Sequence, residues 1–391
     1  MQENRYTLDR ELSNLLNVSE ITGGDIMEIR HLIRGGSIVD WERFYFSRLS
    51  DVDEFLRVSQ YDPDNILDME RLSSIHQSAI EYCRTSLGLD LPSVIVRPGR
   101  IQDLYLYASS KGEHRTQASM LLKVMHVINH LEARELLYHL PVSEREFFAR
   151  LERRVSRTVN RMLEQGFPIE TYQASQKTKE SLITKLLSKR KNTAAQVFDR
   201  IRFRIISSNR AGLLPMLFFL KKYLIPFTYV IPGESTNTIA PVSQLFQETM
   251  GIQLRDEDRD FGYHAAQNPF SHRDFRVISM VVDTPVRVDD LADPASRRLL
   301  TKFGHIVFVP TEFQLFDKAS YFLNESGPAA HDLYKGRQVA EVISRLFMGD
   351  ERGKAAAQRD NAQTRSHERR GRVDMDPPEP AGRKKNSDSE R

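Results

Sequence analysis

Residues 177–206 read KTKESLITKLLSKRKNTAAQVFDRIRFRII, and the fold class turns on how this stretch divides. Lys177, Ser181 and Lys185 recur at every fourth position, which on a helix places them on one face. Leu182, Ile183, Leu186 and Leu187 supply the apolar stripe that would dock such a helix. Ser181 can cap or bind, and lysine ammonium groups are point charges suited to phosphate oxygens. After Asp199, Ile201, Phe203 and Ile205 alternate with Arg202 and Arg204. That period of two predicts a half-buried strand with a basic outer face. A carboxylate at the mouth of a strand, beside a cationic helix, is a place to hold a metal-bound triphosphate. The same residues also fit a solvated basic helix followed by an ordinary strand.

A second stretch, residues 304–338, reads GHIVFVPTEFQLFDKASYFLNESGPAAHDLYKGRQ. Strand geometry puts Glu312, Gln314 and Phe316 on one face and Phe313 and Leu315 on the other. A helix-like run follows, with His331 and Lys335 one turn apart on a second helix.

With both stretches in view, the chain resembles the synthetase domain of the RelA/SpoT family. That family's pattern runs R-x-K-x-x-x-S-x-x-x-K, then an aspartate before an arginine-bearing strand, a G-Y-Q-S-L-H turn, E-x-Q-I-R-T, and A-E-x-G-x-A-A-H-x-x-Y-K. Lys177, Ser181 and Lys185 match the first element, Asp199 and Arg204 the second, and Gly262 and Tyr263 the turn. Glu312 and Gln314 match the carboxylate strand; Glu325, Gly327, Ala329, Ala330, His331, Tyr334 and Lys335 match the closing run. Short motifs in the right order over about 160 residues are far more specific together than singly. The chain departs from the pattern where Ser175 stands at the first arginine, Phe316 at the arginine of E-x-Q-I-R-T, and His264 and Gln267 in the turn.

The resemblance implies an α/β (α+β) fold, a mixed sheet flanked by helices of the nucleotidyltransferase type. It implies transfer of pyrophosphate from ATP to the 3′-hydroxyl of GDP or GTP, or to a related acceptor such as the 3′ end of tRNA, with Mg²⁺. On the matched positions, Asp199 would be the main metal ligand and Glu312 a second ligand or the base. Lys177, Ser181, Lys185 and Arg204 would meet phosphates, and Tyr263 would stack on the acceptor base. Gln314 would join the nucleotide contacts, and His331 and Lys335 would support acceptor phosphates. Because Ser175 and Phe316 replace arginines, a second expectation stands beside the enzyme: a degenerate nucleotide-binding or interaction protein.

Length and composition frame these expectations. At 391 residues with 40% hydrophobic and 28% charged residues, the chain suits a soluble protein of two or three domains. A net charge of +3 does not predict wholesale nucleic-acid binding. The single cysteine, Cys83, excludes an intramolecular disulfide and fits a reducing, cytoplasmic setting. The most apolar run, 211–227, is broken by Pro215, Lys221, Lys222 and Pro226, so no membrane span is expected.

Three segments emerge. Residues 1–142 read as a mostly helical domain of unassigned role, able to take a protein partner. Leu8, Leu12, Leu15 and Leu16 have helical spacing, Trp41 sits in an aromatic group with Phe44, Tyr45 and Phe46, and Ser93–Val96 reads as a brief strand. Leu121–Tyr138 reads as a strong helix; its His126 and His130, four apart with Glu132 close by, lack a Glu directly after the first His and read as hydrogen-bonded helix histidines. The boundary falls at 142/143, where Ser143 and Glu146 form a capping box. Residues 143–348 form the synthetase-like domain. Its expected strands are 169–172, 227–231, 275–282 and 305–309, with a helix at 213–223 and a long insert at 232–274 that carries Asp256, Glu257, Asp258 and Asp260. Residues 349–391 are charged, poor in apolar side chains and expected to be disordered.

Overall fold

The alternation in residues 201–206 does form a strand, and a mixed five-stranded sheet assembles around it. The computed structural model describes residues 21–34, 44–188, 200–231, 233–251, 274–291, 296–326 and 331–347, without the side chains of His331 and Asp332. Expectations for the Leu8–Leu16 helix, Trp41, Asp199, the 256–260 acidic cluster, Tyr263 and the 349–391 tail lie outside the described residues.

The strands β1 (Ile169–Gln176), β2 (Ile201–Ser207), β3 (Thr236–Asn237), β4 (Ile278–Arg287) and β5 (Ile306–Asp317) lie in the order β1-β2-β5-β4-β3. β2 and β5 run parallel, and every other neighbouring pair is antiparallel. Before the sheet come α1 (Gly23–Arg34), α2 (Leu49–Val58), α3 (Ile66–Thr85), the single turn α4 (Ser93–Val96), α5 (Ile101–Ser109), α6 (Arg115–His139) and α7 (Glu144–Glu164). Between and after the strands come α8 (Lys179–Ser188), α9 (Leu213–Tyr223), α10 (Val242–Met250), α11 (Arg297–Phe303), α12 (Lys318–Ser326) and α13 (His331–Leu346).

One face of the sheet is apolar. Phe203 and Ile205 on β2, Phe313 and Leu315 on β5, and Met280 and Val282 on β4 are fully buried. α7 lies across this face, because Phe147, Leu151, Val155, Val159 and Met162 fall on one side of it and are all buried. Ser143 caps α7 through the Glu146 amide, while Glu146 reaches back to Ser143, as the sequence predicts. Burying each such side chain stabilises the fold by about 1.5–3 kcal/mol before ordering entropy is charged against it. The same apolar cluster continues without a break into α1–α6, through Leu32, Leu56, Leu104 and Leu121. Phe44 and Phe46 take part in it, stacked at 5.5 Å, with Phe44 edge-on to Phe227 at 6.2 Å.

Several local expectations change. Ser93–Val96 is a helical turn, since the Pro92 carbonyl accepts from the Ile95 and Val96 amides and no strand among the described residues lies alongside. Phe227–Tyr229 is a 3₁₀ turn after Pro226, and only Val230 bridges to β4, at Val282. The two runs read around residues 305 and 312 are one strand, β5. Pro310 is tolerated there because β2 pairs with β5 only from Thr311 onward, leaving Pro310 one strand neighbour, β4. Lys177 is not on a helix: its amide donates to the Arg200 carbonyl at 2.9 Å, prolonging the β1–β2 ladder. α8 starts two residues later, and Thr178, not Ser181, caps it. Of the expected apolar stripe on α8, Ile183 and Leu187 are exposed.

Candidate functional site

The second face of the sheet is polar at its centre. Register places Arg202 beside Glu312 and Arg204 beside Gln314 across the parallel β2–β5 pair, with Ser279 of β4 opposite Gln314. On the β1 side, Ser175 faces Arg202 and Gln173 faces Arg204. A two-residue side-chain period on each strand therefore collects these groups into two polar rows.

The Glu312 carboxylate is buried and held at both oxygens. Arg202 Nε donates to Oε2 at 2.7 Å; Ser279 Oγ and Gln314 Nε2 donate to Oε1 at 3.0 and 2.7 Å. Arg204 Nε donates to Gln314 Oε1 at 3.0 Å, so the Gln314 amide is fixed with its oxygen toward a cation and its nitrogen toward an anion. Arg204 also lies 3.6 Å from Glu325 on α12. Burial, with the like charge of Arg202 beside it, holds the Arg204 guanidinium below the usual arginine range.

The helices over this face are placed by local chemistry. Asp317, at the end of β5, accepts from the Ser320 amide at 2.9 Å and the Ser320 hydroxyl at 2.7 Å, which starts α12 directly after the strand. Asn324 then exchanges hydrogen bonds with the Arg276 backbone, at 3.0 and 2.7 Å. Phe316 joins Ile206 and Val277 in a small apolar cluster, against Phe275 and Tyr321. An aromatic ring thus stands at the position matched to an arginine in the resemblance, and it closes one end of the polar rows. α8 and α13 pack together, and Lys335 Nζ donates to Ser181 Oγ at 3.0 Å.

The structure therefore gathers Arg204, Glu312 and Gln314 in one cluster and pairs Ser181 with Lys335 in another. Lys185 lies on α8, half-buried, and Lys177 on the β1 extension. Asp199, Tyr263 and the His331 side chain lie outside the described residues. The sequence reading missed Arg202, Ser279 and Glu325 as site groups. Arg202 carried a signal, since it stands two positions before Arg204 on the same strand; Ser279 carried none, because its place depends on the register of a distant strand.

The magnesium expectation rests on Asp199 and Glu312. As Glu312 stands, Oε2 accepts from a guanidinium and Oε1 from two neutral donors, so a metal ion at this carboxylate would compete with Arg202. No group of three or more His, Cys, Asp or Glu side chains gathers among the described residues to hold a metal ion. The α6 histidines are packing and hydrogen-bonding groups: His130 stacks on His126 at 4.2 Å and on Phe308 at 4.0 Å, and its Nδ1 meets the His126 carbonyl at 3.2 Å. Glu132 pairs with Arg71. A cleft of about 610 Å³ among the N-terminal helices, bordered by Asp53, His76, Arg97 and Arg100, contains none of the expected site residues. Nor does a chamber of about 40 Å³ beside Tyr61, His126, Asn129 and Tyr229. No described helix is long and apolar enough to cross a membrane.

No protein-family model and no curated protein sequence matches the chain. Among solved structures, it is similar to small alarmone synthetase 1 from Bacillus subtilis, at 14% identity over 63% of this chain and 96% of that one, with a TM-score of 0.27. The same synthetase bound to its product pppGpp matches at 15% identity over 58% and 93%, TM-score 0.28. A GTP pyrophosphokinase family protein from Streptococcus pneumoniae matches at 16% over 56% and 92%, TM-score 0.27.

Proposed function

We propose that the polar face of the sheet binds a nucleotide polyphosphate, and that the protein transfers pyrophosphate from ATP to the 3′-hydroxyl of GDP, GTP or a related acceptor such as the tRNA 3′ end. The acceptor oxygen would bond to the β-phosphorus of ATP, AMP would leave, and the hydroxyl proton would pass to a base. One observation carries the reading. Residues from motifs far apart in sequence, Arg204 with Glu312 and Gln314, and Ser181 with Lys335, meet across β2–β5 and α8–α13. These are the groups a phosphoryl-transfer site needs, since such catalysis is mostly positioning and charge neutralisation. Arg202, Arg204 and Lys335 would receive phosphate oxygens. Magnesium and a second acid enter the proposal only through Asp199.

A second reading is favoured by the Arg202–Glu312 pair and by Phe316: a protein that binds the nucleotide without turning it over. The test is incubation with Mg²⁺, labelled ATP and, separately, GDP, GTP and tRNA. A labelled 3′-pyrophosphorylated product with release of AMP supports the enzyme. GTP binding by calorimetry with no product from any acceptor supports the sensor and sinks the transferase.

A further inference from the structure

Glu312 does on the sheet what a bound phosphate would do. It is surrounded as a bound anion would be, with the Arg202 guanidinium on one oxygen and the Ser279 hydroxyl and Gln314 amide on the other. It sits against Arg202, whose side chain is 18% exposed and so reachable from solvent. Arginine binds phosphate as readily as carboxylate, since its guanidinium carries five N–H donors in a fork that matches either anion. The two Glu312 oxygens are not equivalent: Oε2 takes the arginine, while Oε1 is held by Ser279 and Gln314. Releasing Arg202 would leave the buried carboxylate its described bonds from Ser279 and Gln314, which keeps the cost of release well below that of stranding a bare charge. Gln314 is in turn anchored by Arg204, so these partners stay in place.

We infer that Glu312 is an internal anion standing in for ligand phosphate at Arg202, and that a polyphosphate enters by drawing the Arg202 guanidinium away from it. The inference rests on the polyphosphate-binding part of the proposed function, but not on catalysis. The exchange makes the ligand-free site self-neutralised: Arg202 with Glu312, and Arg204 with Glu325. It also gives Arg202 a role distinct from that of Arg204. Arg202 must change partner, whereas Arg204 keeps its hold on Gln314.

The measurement is calorimetric titration of the full chain with inorganic pyrophosphate in excess EDTA, so that neither metal nor turnover contributes. Glu312→Gln removes the competing charge and keeps the shape. It should tighten pyrophosphate binding roughly five- to tenfold, the scale of one partly exposed ion pair. Arg202→Ala should weaken binding by a similar factor. In the Arg202→Ala background, Glu312→Gln should have no further effect. Equal tightening in both backgrounds would mean that only general charge had changed, and would overturn the exchange; so would unchanged or weaker binding in Glu312→Gln, or no binding to any variant. Arg202→Lys, which keeps the charge, guards against a folding artefact, and each variant's melting curve is compared with the parent. Tightening alongside a failed product assay would leave the exchange standing and remove only the transferase.

Discussion

At the scale of single residues, the site separates groups by what their neighbours leave them free to do. Glu312 already accepts from the Arg202 guanidinium at 2.7 Å, so the proposed chemistry is assigned to Asp199, the position matched to the main metal ligand, more than to Glu312. Asp199→Ala should abolish product formation with an unchanged melting temperature; retained turnover removes Asp199 from the site. A second residue-scale prediction concerns His126, which is half-buried and stacked between Tyr229 and His130. Burial first, and then the neighbouring His130, push its pKa well below the ordinary 6.5. It is neutral when folded and free to bind a proton when unfolded. Its contribution is complete above about 6.5 and is lost as pH falls from there toward the depressed folded value. The buried His76 shifts in the same direction. Melting temperature should fall between pH 7.5 and 5.5, and His126→Phe should make that fall shallower without erasing it. Glu312, Gln314 and Phe316 were legible as one face because a strand's alternation is written in its own residues. Their partners were not, because Arg202 against Glu312 and Ser279 against Gln314 follow from register between strands separated by tens to a hundred residues.

At the scale of elements, what the sequence declares through local chemistry is what it declares well. The 213–223 helix, with Pro215 in its first turn, and the Ser143–Glu146 start of α7 were both readable because propensity and capping act within a few residues. The failures lie where a neighbour decides. Phe227–Tyr229 has strand-like composition, yet it packs its rings into the N-terminal helices and turns as a 3₁₀ helix. Pro310 looked like a strand end and is a strand interior, because the strand beside it stops one residue away. α12 offers a test at this scale, since its start directly after β5 is set by a cap. Asp317→Ala should cost about 1 kcal/mol, the usual worth of an N-cap. It should also loosen Glu325 and Tyr321, which reach Arg204 and Gln173 from that helix. Asp317→Asn, which can still accept from the Ser320 amide, should recover most of the loss in a denaturant titration. Equal stability of the alanine variant and the parent would show that α12 is held by its packing alone.

At the scale of the whole molecule, the sequence suggested a cut at 142/143, and the core runs across that position. Phe44 and Phe55 meet Phe227 at 6.2 and 5.9 Å, and His130 lies flat on Phe308 of β5. Half-buried arginines tie the same seam. Arg154 of α7 donates to the Val58, Leu224 and Pro285 carbonyls at 2.8, 3.2 and 2.9 Å. Burial first, with Arg157 nearby, lowers its pKa only to about 10, so it stays charged at neutral pH. Arg287 of β4 donates to the buried Asp68 of α3 at 2.6 and 3.0 Å. Composition and spacing could not reveal this, since each arginine reads alone as a surface cation and only the packed chain shows three carbonyls converging on one of them. Arg154→Met keeps the apolar stem and leaves those carbonyls without their donor, at an expected cost of about 3 kcal/mol. A chain beginning at Ser143 would expose Phe227, Tyr229 and Phe308 together. It should bind a hydrophobic dye, melt without a cooperative transition and fail to bind pyrophosphate. A sharp melt with pyrophosphate affinity intact would instead make residues 143–348 an independent folding unit, and would reduce the N-terminal helices to a cover laid over a finished site.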